Sequence, residues 1–479
     1  MSFTHLNVSS AYSFHFGTAK PDELAKAASA LGFEALAITD LNGLYGAVKH
    51  IGACLNQNIA PIVGVRLSVQ HKGTVTILAR GQNNGSGWAA LCRIISAAQK
   101  KSKKEVAISQ KDLAGLMATD SKANCTILLG PDSDFGQATI NANATDAAKK
   151  LLEWQELLPY KSALAVEIVS HLTEPGTNYS SMQAKRMLQL AKTIGITPVL
   201  TNAVRYLEPD DALTGDVLDA ARHLEALGLF DPQPNAQAWL KPASLMEKLA
   251  LEITESKTLA LELLSNTEAL AKQLRLDPVS DCGWSKPKTP EKSALGIEGN
   301  PFEVLWQKAH TGINWRYPDK SEDKLLPIRH RLHQELITIN KLGFATYFLT
   351  VADVAQMIRD MRIRTAARGS GAGSMVNYLL GISSVDPIEH ELLFERFLST
   401  ERSSLPDIDI DVESARRHEI YRAIFKRYGG NRVTLLSMQS TYRGRGAVRD
   451  GGLALGFEPD QIDEIAKSIW RFSARDFRG

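Results

Sequence analysis

The sequence has few cysteines and almost no excess of charge of either sign, and both shortages exclude classes of protein. Its 479 residues contain four cysteines, and no two of them form a CxxC pair. This spacing argues against a zinc ribbon and a disulfide framework, and it fits a reducing cytoplasm. The formal net charge is only +2. A surface that binds nucleic acid would therefore have to come from a local cluster of basic residues.

Long apolar runs and a secretion signal are also lacking. No stretch reaches the ~18 consecutive apolar residues that a membrane span needs. The first residues, MSFTHLNVSSAYSFHF, contain no basic segment followed by an apolar one. We therefore expect a cytoplasmic protein without a membrane partner. A hydrophobic fraction of 44% and a charged fraction of 23% are typical of globular domains, and the length allows two or three of them.

The pattern along the chain divides it into regions. Residues 1–240 alternate helical stretches with short apolar runs, as in DELAKAASALG followed by FEALAIT, which predicts an α/β domain. A helical stretch and a linker rich in proline, lysine, glycine and asparagine are expected at 241–324. Residues 325–438 begin with two helices and continue into a glycine cluster and an acidic strand. A short last region, 439–479, follows.

The acidic strand lies in the stretch LPDIDIDVES, which places Asp407, Asp409 and Asp411 at every second position. Side chains two apart on a strand share a face and lie about 6.6 Å apart along it. Three carboxylates at that spacing repel one another and raise each other's pKa unless a cation lies among them. The pattern fits either a solvated edge strand or a site for a divalent metal.

The glycine cluster, RTAARGSGAGSMVNYLLG, includes Gly369 and Ser370 and runs directly into an apolar helix. Small residues before a helix let backbone N–H groups approach a phosphate, and Arg368 adds a positive charge. The alternative is a tight turn or close helix packing. The stretch LLFERFLSTER adds Arg396 and Arg402. Together with the acidic strand, these are the parts of a metal-assisted phosphoryl or nucleotidyl transfer site.

A basic segment follows the acidic strand. Residues 414–449 contain nine lysines or arginines and one acid. A solvated helix face usually mixes both signs, so contact with a phosphate backbone is the favoured interpretation. Its last part, STYRGRGAVRDGG, sets glycines and a tyrosine beside Arg443, Arg445 and Arg449, which we predict to bind DNA.

Four stretches in this order resemble the palm of the bacterial C-family DNA polymerases, the family of the DNA polymerase III alpha subunit: GFATYFLTVADV, RGSGAGSMVNYLLGISSVDP, LLFERFLSTER and PDIDIDVE. Residues 1–240 resemble the PHP (polymerase and histidinol phosphatase) domain that precedes this palm. The sequences AARGSGAGS and VESARR resemble the error-prone branch of the family more closely than the main replicase. The resemblance implies a PHP-type (β/α) barrel, then a polymerase-β-like palm at 325–438 and the start of a helical thumb at 439–479.

The resemblance also implies an activity, namely template-directed transfer of a nucleotide from a dNTP to a primer 3′-hydroxyl with two Mg²⁺ ions. Asp407 and Asp409 match the catalytic, metal-binding aspartates, and Asp411 has a supporting role. The residues that match the binding site of the incoming triphosphate are Gly369, Ser370, Arg368 and Arg396.

The PHP-like region departs from its family at the metal ligands. The ligand motifs of the family fall on His5, Asn7, Asp40, Leu41, Arg66, Ala203 and Arg205. Leucine cannot bind a metal and arginine repels one, so we expect a scaffold without a metal there. The remaining polar groups, together with Glu167 and His171, fit hydrogen-bonded core residues as well as they fit metal ligands.

The resemblance implies a third catalytic carboxylate and further domains that the sequence, ending at Gly479, does not contain. We therefore expect an N-terminal portion of a polymerase alpha subunit that is inactive alone. The partners expected for the longer protein are primer-template DNA, dNTP, a sliding clamp and a proofreading exonuclease. The alternatives are a non-catalytic scaffold for binding partners and, less favoured, a PHP phosphoesterase.

Overall fold

The structure, a computed structural model, describes residues 3–101, 106–117, 123–141, 143–229, 232–401, 404–436 and 440–469. The chain forms two compact units. The first comprises Met1–Trp284 and Gln439–Gly479, and the second comprises Ser285–Met438. No helix in the described ranges is long and apolar enough to cross a membrane.

The first unit is built on one mixed sheet. Its strands are β1 (Ala35–Leu41), β2 (Ala60–Val69), β3 (Gly73–Ala79), β4 (Ala107–Ile108), β5 (Cys125–Leu129), β6 (Leu164–Ile168) and β7 (Pro198–Leu200). They are hydrogen-bonded in the order β1-β2-β3-β5-β6-β7, and β4 pairs with β2. β3 is antiparallel to β2 and β5, and the other pairs are parallel. β5, β6 and β7 are buried along their whole length, as in sheets covered on both faces.

An N-terminal segment, residues 5–9, links the two ends of this sheet. The amides of Ala37 and Thr39 in β1 donate to carbonyls of the segment at 3.1 and 2.7 Å. Val204, just after β7, exchanges two hydrogen bonds with the same segment, each 2.9 Å long. The sheet therefore curls, and the α/β class predicted for this part of the chain is confirmed.

Helices pack around the sheet. They are α1 (Pro21–Ala30), α2 (Ala47–Asn56), α3 (Ser86–Lys101), α4 (Gln110–Met117), α5 (Asp134–Ile140), α6 (Ala144–Leu157), α7 (Ser181–Ile194), α8 (Ala212–His223), α9 (Ala243–Thr254), α10 (Lys257–Leu274) and α11 (Pro278–Cys282). Leu36, Phe135 and Trp154 belong to one buried core. Local sequence sets the helix ends. In α7, the Ser180 side chain accepts from the first turn, and Gly195 ends the helix at φ +81°.

The second unit is mainly helical. Its elements are α12 (Pro301–Arg316), α13 (Glu322–Leu342), α14 (Ala345–Asp360), β8 (Thr365–Arg368), α15 (Met375–Leu379), β9 (Asp409–Val412) and α16 (Arg417–Tyr428). β8 and β9 are antiparallel, with Arg368 opposite Asp409 and Thr365 opposite Val412. The two helices that follow the second unit in the chain, α17 (Gly444–Ala454) and α18 (Pro459–Ser468), fold with the first unit. Residues 439 and 470–479 of the predicted thumb lie outside the described residues.

A buried carboxylate joins α13 to α15. Glu335 is fully buried and accepts hydrogen bonds from the Ser374 hydroxyl at 2.9 Å and from the amides of Met375 and Val376 at 2.9 and 3.1 Å. Arg331 donates to the same carboxylate at 2.7 Å. Burial raises the pKa of Glu335, and Arg331 and the two amides oppose this shift. The carboxylate therefore caps α15 and fixes the loop before it.

We predict that Glu335→Ala lowers the free energy of unfolding by about 3–5 kcal/mol, the usual result of removing one member of a buried ion pair. The loss arises because Arg331 and the amides that begin α15 lose their acceptor. Urea denaturation curves give the measurement. The matched control is Glu322→Ala, which breaks an exposed ion pair with Arg329 and should cost less than about 1 kcal/mol. Equal losses in the two variants would contradict the role of Glu335.

Candidate functional sites

The acidic strand presents its carboxylates to solvent. Asp407, which precedes β9, and Asp409 and Asp411 within it are exposed. Ile408 and Ile410 alternate with them and pack against an apolar cluster that includes residues of α14. The alternation therefore has a physical cause, since the isoleucines are held on the core side of the strand. Three carboxylates are left on the opposite side.

The glycine loop lies directly beside this strand. β8 ends at Arg368, which pairs with Asp409 in the ladder, and the loop begins at Gly369 with φ +74°. A Cβ atom added to Gly369 would lie 3.4 Å from Oδ2 of Asp409. The Nε of Arg368 lies 3.4 Å from Oδ2 of Asp411. The loop, including Ser370, and the acidic strand thus form one local site, in which Asp411 already has a cationic partner.

Side chains from α13 and α15 fix the loop. Arg331, held by Glu335, also donates to the carbonyl of Gly373 at 3.2 Å. The side-chain amide of Asn377 donates to the backbone carbonyl of Gly371 at 2.9 Å. The sequence analysis did not identify Glu335. The signal that could have found it is a carboxylate on the apolar face of α13, four residues after an arginine, in RLHQELITIN.

Arg396 is exposed and follows the buried ring of Phe394. Within the described parts of the second unit, no hydrogen bond or ion pair joins Arg396 to the glycine loop or the acidic strand. Arg402, which was predicted to accompany it, lies outside the described residues. The structure therefore brings Arg368, Gly369, Ser370 and the aspartates together without joining Arg396 to them.

The donor set at this site suits Mg²⁺. Mg²⁺ prefers oxygen ligands and is usually bound through one or two carboxylates together with substrate phosphates. Asp407 and Asp409 supply such oxygens from exposed side chains. In the described ranges, no three histidine, cysteine or acidic side chains form a complete metal cage. Two exposed carboxylates of this kind are a partial set of oxygen ligands, the number that Mg²⁺ commonly takes from a protein.

In the first unit, the predicted degenerate metal positions form a buried polar network. Oε1 of Glu167 accepts from the Asn7 amide at 2.7 Å and from the Thr201 hydroxyl at 2.6 Å. Burial raises the pKa of Glu167, and these two hydrogen bonds oppose the shift. Arg66 donates to Oδ2 of Asp132 at 2.7 Å. A guanidinium therefore pairs with Asp132, and neutral donors engage one oxygen of Glu167, in a small cavity that both carboxylates line.

Asp40 is used differently, because it anchors a loop. Its Oδ1 accepts from the Ser10 amide at 2.7 Å, from the Ser10 hydroxyl at 2.9 Å and from the Ser13 hydroxyl at 2.8 Å. Burial raises the pKa of Asp40, and these hydrogen bonds oppose it. The Ser13 hydroxyl in turn accepts from the amide of Leu41 at 3.0 Å. The whole carboxylate is thus engaged by residues 10–13.

Arg205 forms a second anchor. It donates two hydrogen bonds to Asp219, at 3.0 and 3.1 Å, and its guanidinium lies 3.9 Å from the ring centroid of Phe16. Ala203, two residues earlier, is buried and has φ +42°. Neither residue offers a metal ligand.

The remaining histidines bind backbone carbonyls. Nε2 of His5 lies 2.9 Å from the carbonyl oxygen of Lys241, and Nε2 of His171 lies 2.8 Å from that of Asn202. Burial lowers the pKa of both imidazoles to about 4. The set does not fit a metal cluster because arginines stand at two ligand positions, where Arg66 pairs with Asp132 and Arg205 pairs with Asp219.

The three arginines predicted to bind DNA lie on or next to α17, and all are exposed. Arg445 donates to the carbonyl of Ile469 at 2.9 Å, and Arg449 pairs with Asp463 at 3.0 Å. Within the described residues, Arg443 has neither a hydrogen bond nor an ion pair from its side chain. Among the three and within the described residues, Arg449 is thus paired with a carboxylate, Arg445 is bound to a neutral carbonyl and Arg443 has neither contact.

Some solved structures are similar to the chain at low identity. An amidohydrolase from Chromobacterium violaceum covers 43% of this chain and 88% of its own, with 14% identity and a TM-score of 0.31. A putative metal-dependent phosphoesterase from Bifidobacterium adolescentis covers 42% of this chain and 87% of its own, with 12% identity and a TM-score of 0.27.

Curated relatives are similar along nearly the whole chain. An error-prone DNA polymerase of Symbiobacterium thermophilum is 32% identical over 491 residues, covering 99% of this chain and 43% of the relative. An error-prone DNA polymerase of Pseudomonas aeruginosa is 31% identical over 479 residues, covering 98% and 42%. The chain thus spans about two fifths of the length of these relatives.

Two domain families match the sequence. The PHP domain family matches residues 5–171, and the bacterial DNA polymerase III alpha NTPase domain family matches residues 303–477. Both matches, together with the similarity to error-prone DNA polymerases along the chain, agree with the resemblance to the bacterial DNA polymerase III alpha family.

Proposed function

We propose that this chain is the PHP and palm portion of an error-prone type of DNA-directed DNA polymerase. The proposed reaction is template-directed transfer of a nucleotide from a dNTP to a primer 3′-hydroxyl. The observation that carries the proposal is the approach of the glycine loop to the acidic strand, with Gly369 next to the carboxylate of Asp409. A phosphate-binding loop and metal-binding carboxylates have to meet in this way in nucleotidyl transfer.

Each residue of the site has a role in this proposal. Asp407 and Asp409 would hold Mg²⁺, which neutralises charge on the reacting phosphates and activates the attacking oxygen. The backbone amides of the loop at Gly369 and Ser370 bind the triphosphate, and Arg368 and Arg396 contribute positive charge. Asp411 orients Arg368 through their ion pair.

The rest of the chain supports this site. We assign residues 1–240 to a PHP scaffold without metal chemistry, 325–438 to the palm and 439–479 to the beginning of a thumb. Primer-template DNA is the proposed main partner, and a sliding clamp and a proofreading exonuclease are proposed for the longer protein. A PHP phosphoesterase is disfavoured because Arg66 and Arg205 occupy positions of the ligand motifs.

The first prediction from the proposed function concerns Mg²⁺. A ligand that binds only the folded state stabilises it, by about 2.7 kcal/mol when its free concentration is a hundred times its dissociation constant. Millimolar Mg²⁺ should therefore raise the melting temperature of the second unit, and Asp407→Asn or Asp409→Asn should remove this effect. Asp411→Asn should keep most of it, because Asp411 already pairs with Arg368.

The control for this experiment is Asp360→Asn, since Asp360 is an exposed carboxylate on α14 of the same unit. Calorimetry with and without Mg²⁺ gives the comparison. An unchanged Mg²⁺ effect in Asp409→Asn would refute metal binding by this strand. In a protein of the relatives' length, the same substitution should abolish primer extension.

The second prediction concerns the arginines of α17. For duplex DNA, the plot of log affinity against log salt has a negative slope, and its magnitude decreases by about 0.9 for each phosphate contact removed. We expect Arg443→Ala to produce this full change and Arg449→Ala a smaller one, because Arg449 already pairs with Asp463. Lys192→Ala, which removes a charge paired with Glu262 in the same unit, serves as the control. Identical slopes for the parent and Arg443→Ala would exclude phosphate contact by Arg443.

The third prediction concerns the degenerate site. Elemental analysis of the purified chain should find less than one zinc or manganese ion per molecule, and phosphoester hydrolysis should be undetectable. The reason is that Arg66 and hydrogen-bond donors already compensate the carboxylates of the cavity. Stoichiometric zinc or manganese, lost on substitution of Asp40 or His5, would refute the scaffold assignment.

A further inference from the structure

Three aromatic rings form a stack at the surface of the first unit. Phe14 is 71% exposed, although phenylalanine is among the residues that are most often buried. His15 stacks against it with ring centroids 3.8 Å apart and an interplanar angle of 20°. Tyr442 stacks on His15 at 5.7 Å and 14°. The stack therefore ends in an aromatic face, that of Phe14, with much of its surface in solvent.

Hydrogen bonds hold the stack in place. The Tyr442 hydroxyl lies 2.5 Å from Nε2 of His15 and 2.5 Å from Oδ2 of Asp450, so that it can accept from the imidazole and donate to the carboxylate. His15 has φ +49°, a backbone conformation that costs energy in a residue other than glycine. The surrounding contacts must maintain this conformation in the residue that follows Phe14.

The loop that carries Phe14 is anchored by the degenerate site. Asp40 binds Ser10 and Ser13, at the start of the loop. Arg205 donates to the carbonyl of Phe16 at 3.3 Å and covers its ring, at the end of the loop. Two positions that match metal-ligand motifs of the PHP family thus anchor the chain before and after Phe14.

Positive charge lies next to the stack. The guanidinium of Arg222 lies 5.7 Å from the ring centroid of Phe16, and Arg443 follows Tyr442 in the sequence. Arg205 and Arg222 share the single carboxylate of Asp219, which leaves one positive charge in excess, and Asp450 accepts a hydrogen bond from Tyr442. An exposed ring in a loop that has these arginines as neighbours suits a nucleobase whose phosphates contact the arginines.

We propose that Phe14 stacks on a base of single-stranded DNA and that Arg222 and Arg443 bind the adjacent phosphates. This inference rests on the DNA binding of the proposed function and adds a contact in the PHP unit. The binding is independent of sequence, because every base has an aromatic face. A duplex is bound less well at this place, since its bases are stacked on one another.

The test compares the affinity of the chain for a single-stranded oligonucleotide and for a duplex of equal length, by fluorescence anisotropy. Phe14→Ala should weaken single-strand binding about 5- to 150-fold, the range for loss of one stacked base. Phe14→Tyr should restore it. Since the ring is neutral, the salt slope should be unchanged in Phe14→Ala, whereas Arg443→Ala should lower it by about 0.7. The control is Tyr45→Ala, which removes another exposed aromatic ring of the same unit.

A 2-aminopurine base in the oligonucleotide gives an independent signal, because stacking on Phe14 quenches its fluorescence. Unchanged single-strand affinity and unchanged quenching in Phe14→Ala would overturn the stacking while leaving DNA binding by the chain intact. An equal loss on duplex DNA would overturn it as well and favour a general surface contact. Absence of binding to either DNA by the parent chain would overturn this inference and the DNA-binding part of the proposed function together.

Discussion

The hydrogen-bonded carboxylate of Glu335 is the interaction on which the candidate transfer site depends. A charge in an apolar core costs several kcal/mol unless it is paired and fully hydrogen-bonded. Arg331, Ser374 and the first amides of α15 meet this demand, and the hydrogen bonds from Ser374 and the amides tie the end of the loop to α13. Glycines have many accessible conformations, so the loop needs such a constraint. Once it is fixed, β8 and its pairing with β9 follow, and Asp409 comes to lie beside Gly369.

Buried carboxylates of the first unit also need hydrogen-bond donors, and there they come mainly from neutral side chains. Its sheet brings Asp40 and Glu167 into the interior, where metals would neutralise such carboxylates in a metal-binding PHP domain. Here, Asn7 and Thr201 donate to Glu167, and serines donate to Asp40. Because these donors belong to different segments, each carboxylate joins parts of the chain that are distant in sequence. The residues at these positions thus have a structural role, which includes anchoring the loop that carries Phe14.

Local patterns predicted the features that depend on local chemistry. The alternation around Asp409 and the small residues from Gly369 onwards were visible in the sequence, and the α/β class followed from repeated helix and strand patterns. Glu335 was missed because a carboxylate four residues from an arginine is typical of an exposed helix pair. The ion pair between Arg368 and Asp411 depends on strand register. The stack on Phe14 depends on Tyr442, whose contact partner His15 is 427 residues away.

Charge counting identified a basic segment but could not rank its members. The structure separates them by their contacts, since Arg449 is paired with Asp463 and Arg445 is bound to a backbone carbonyl. Arg443 adjoins the aromatic stack and has neither kind of contact within the described residues. An uncompensated cation contributes affinity that falls with salt, whereas a stacked ring contributes affinity that does not. Placed side by side, they would hold a single strand without regard to its sequence over a range of salt concentrations.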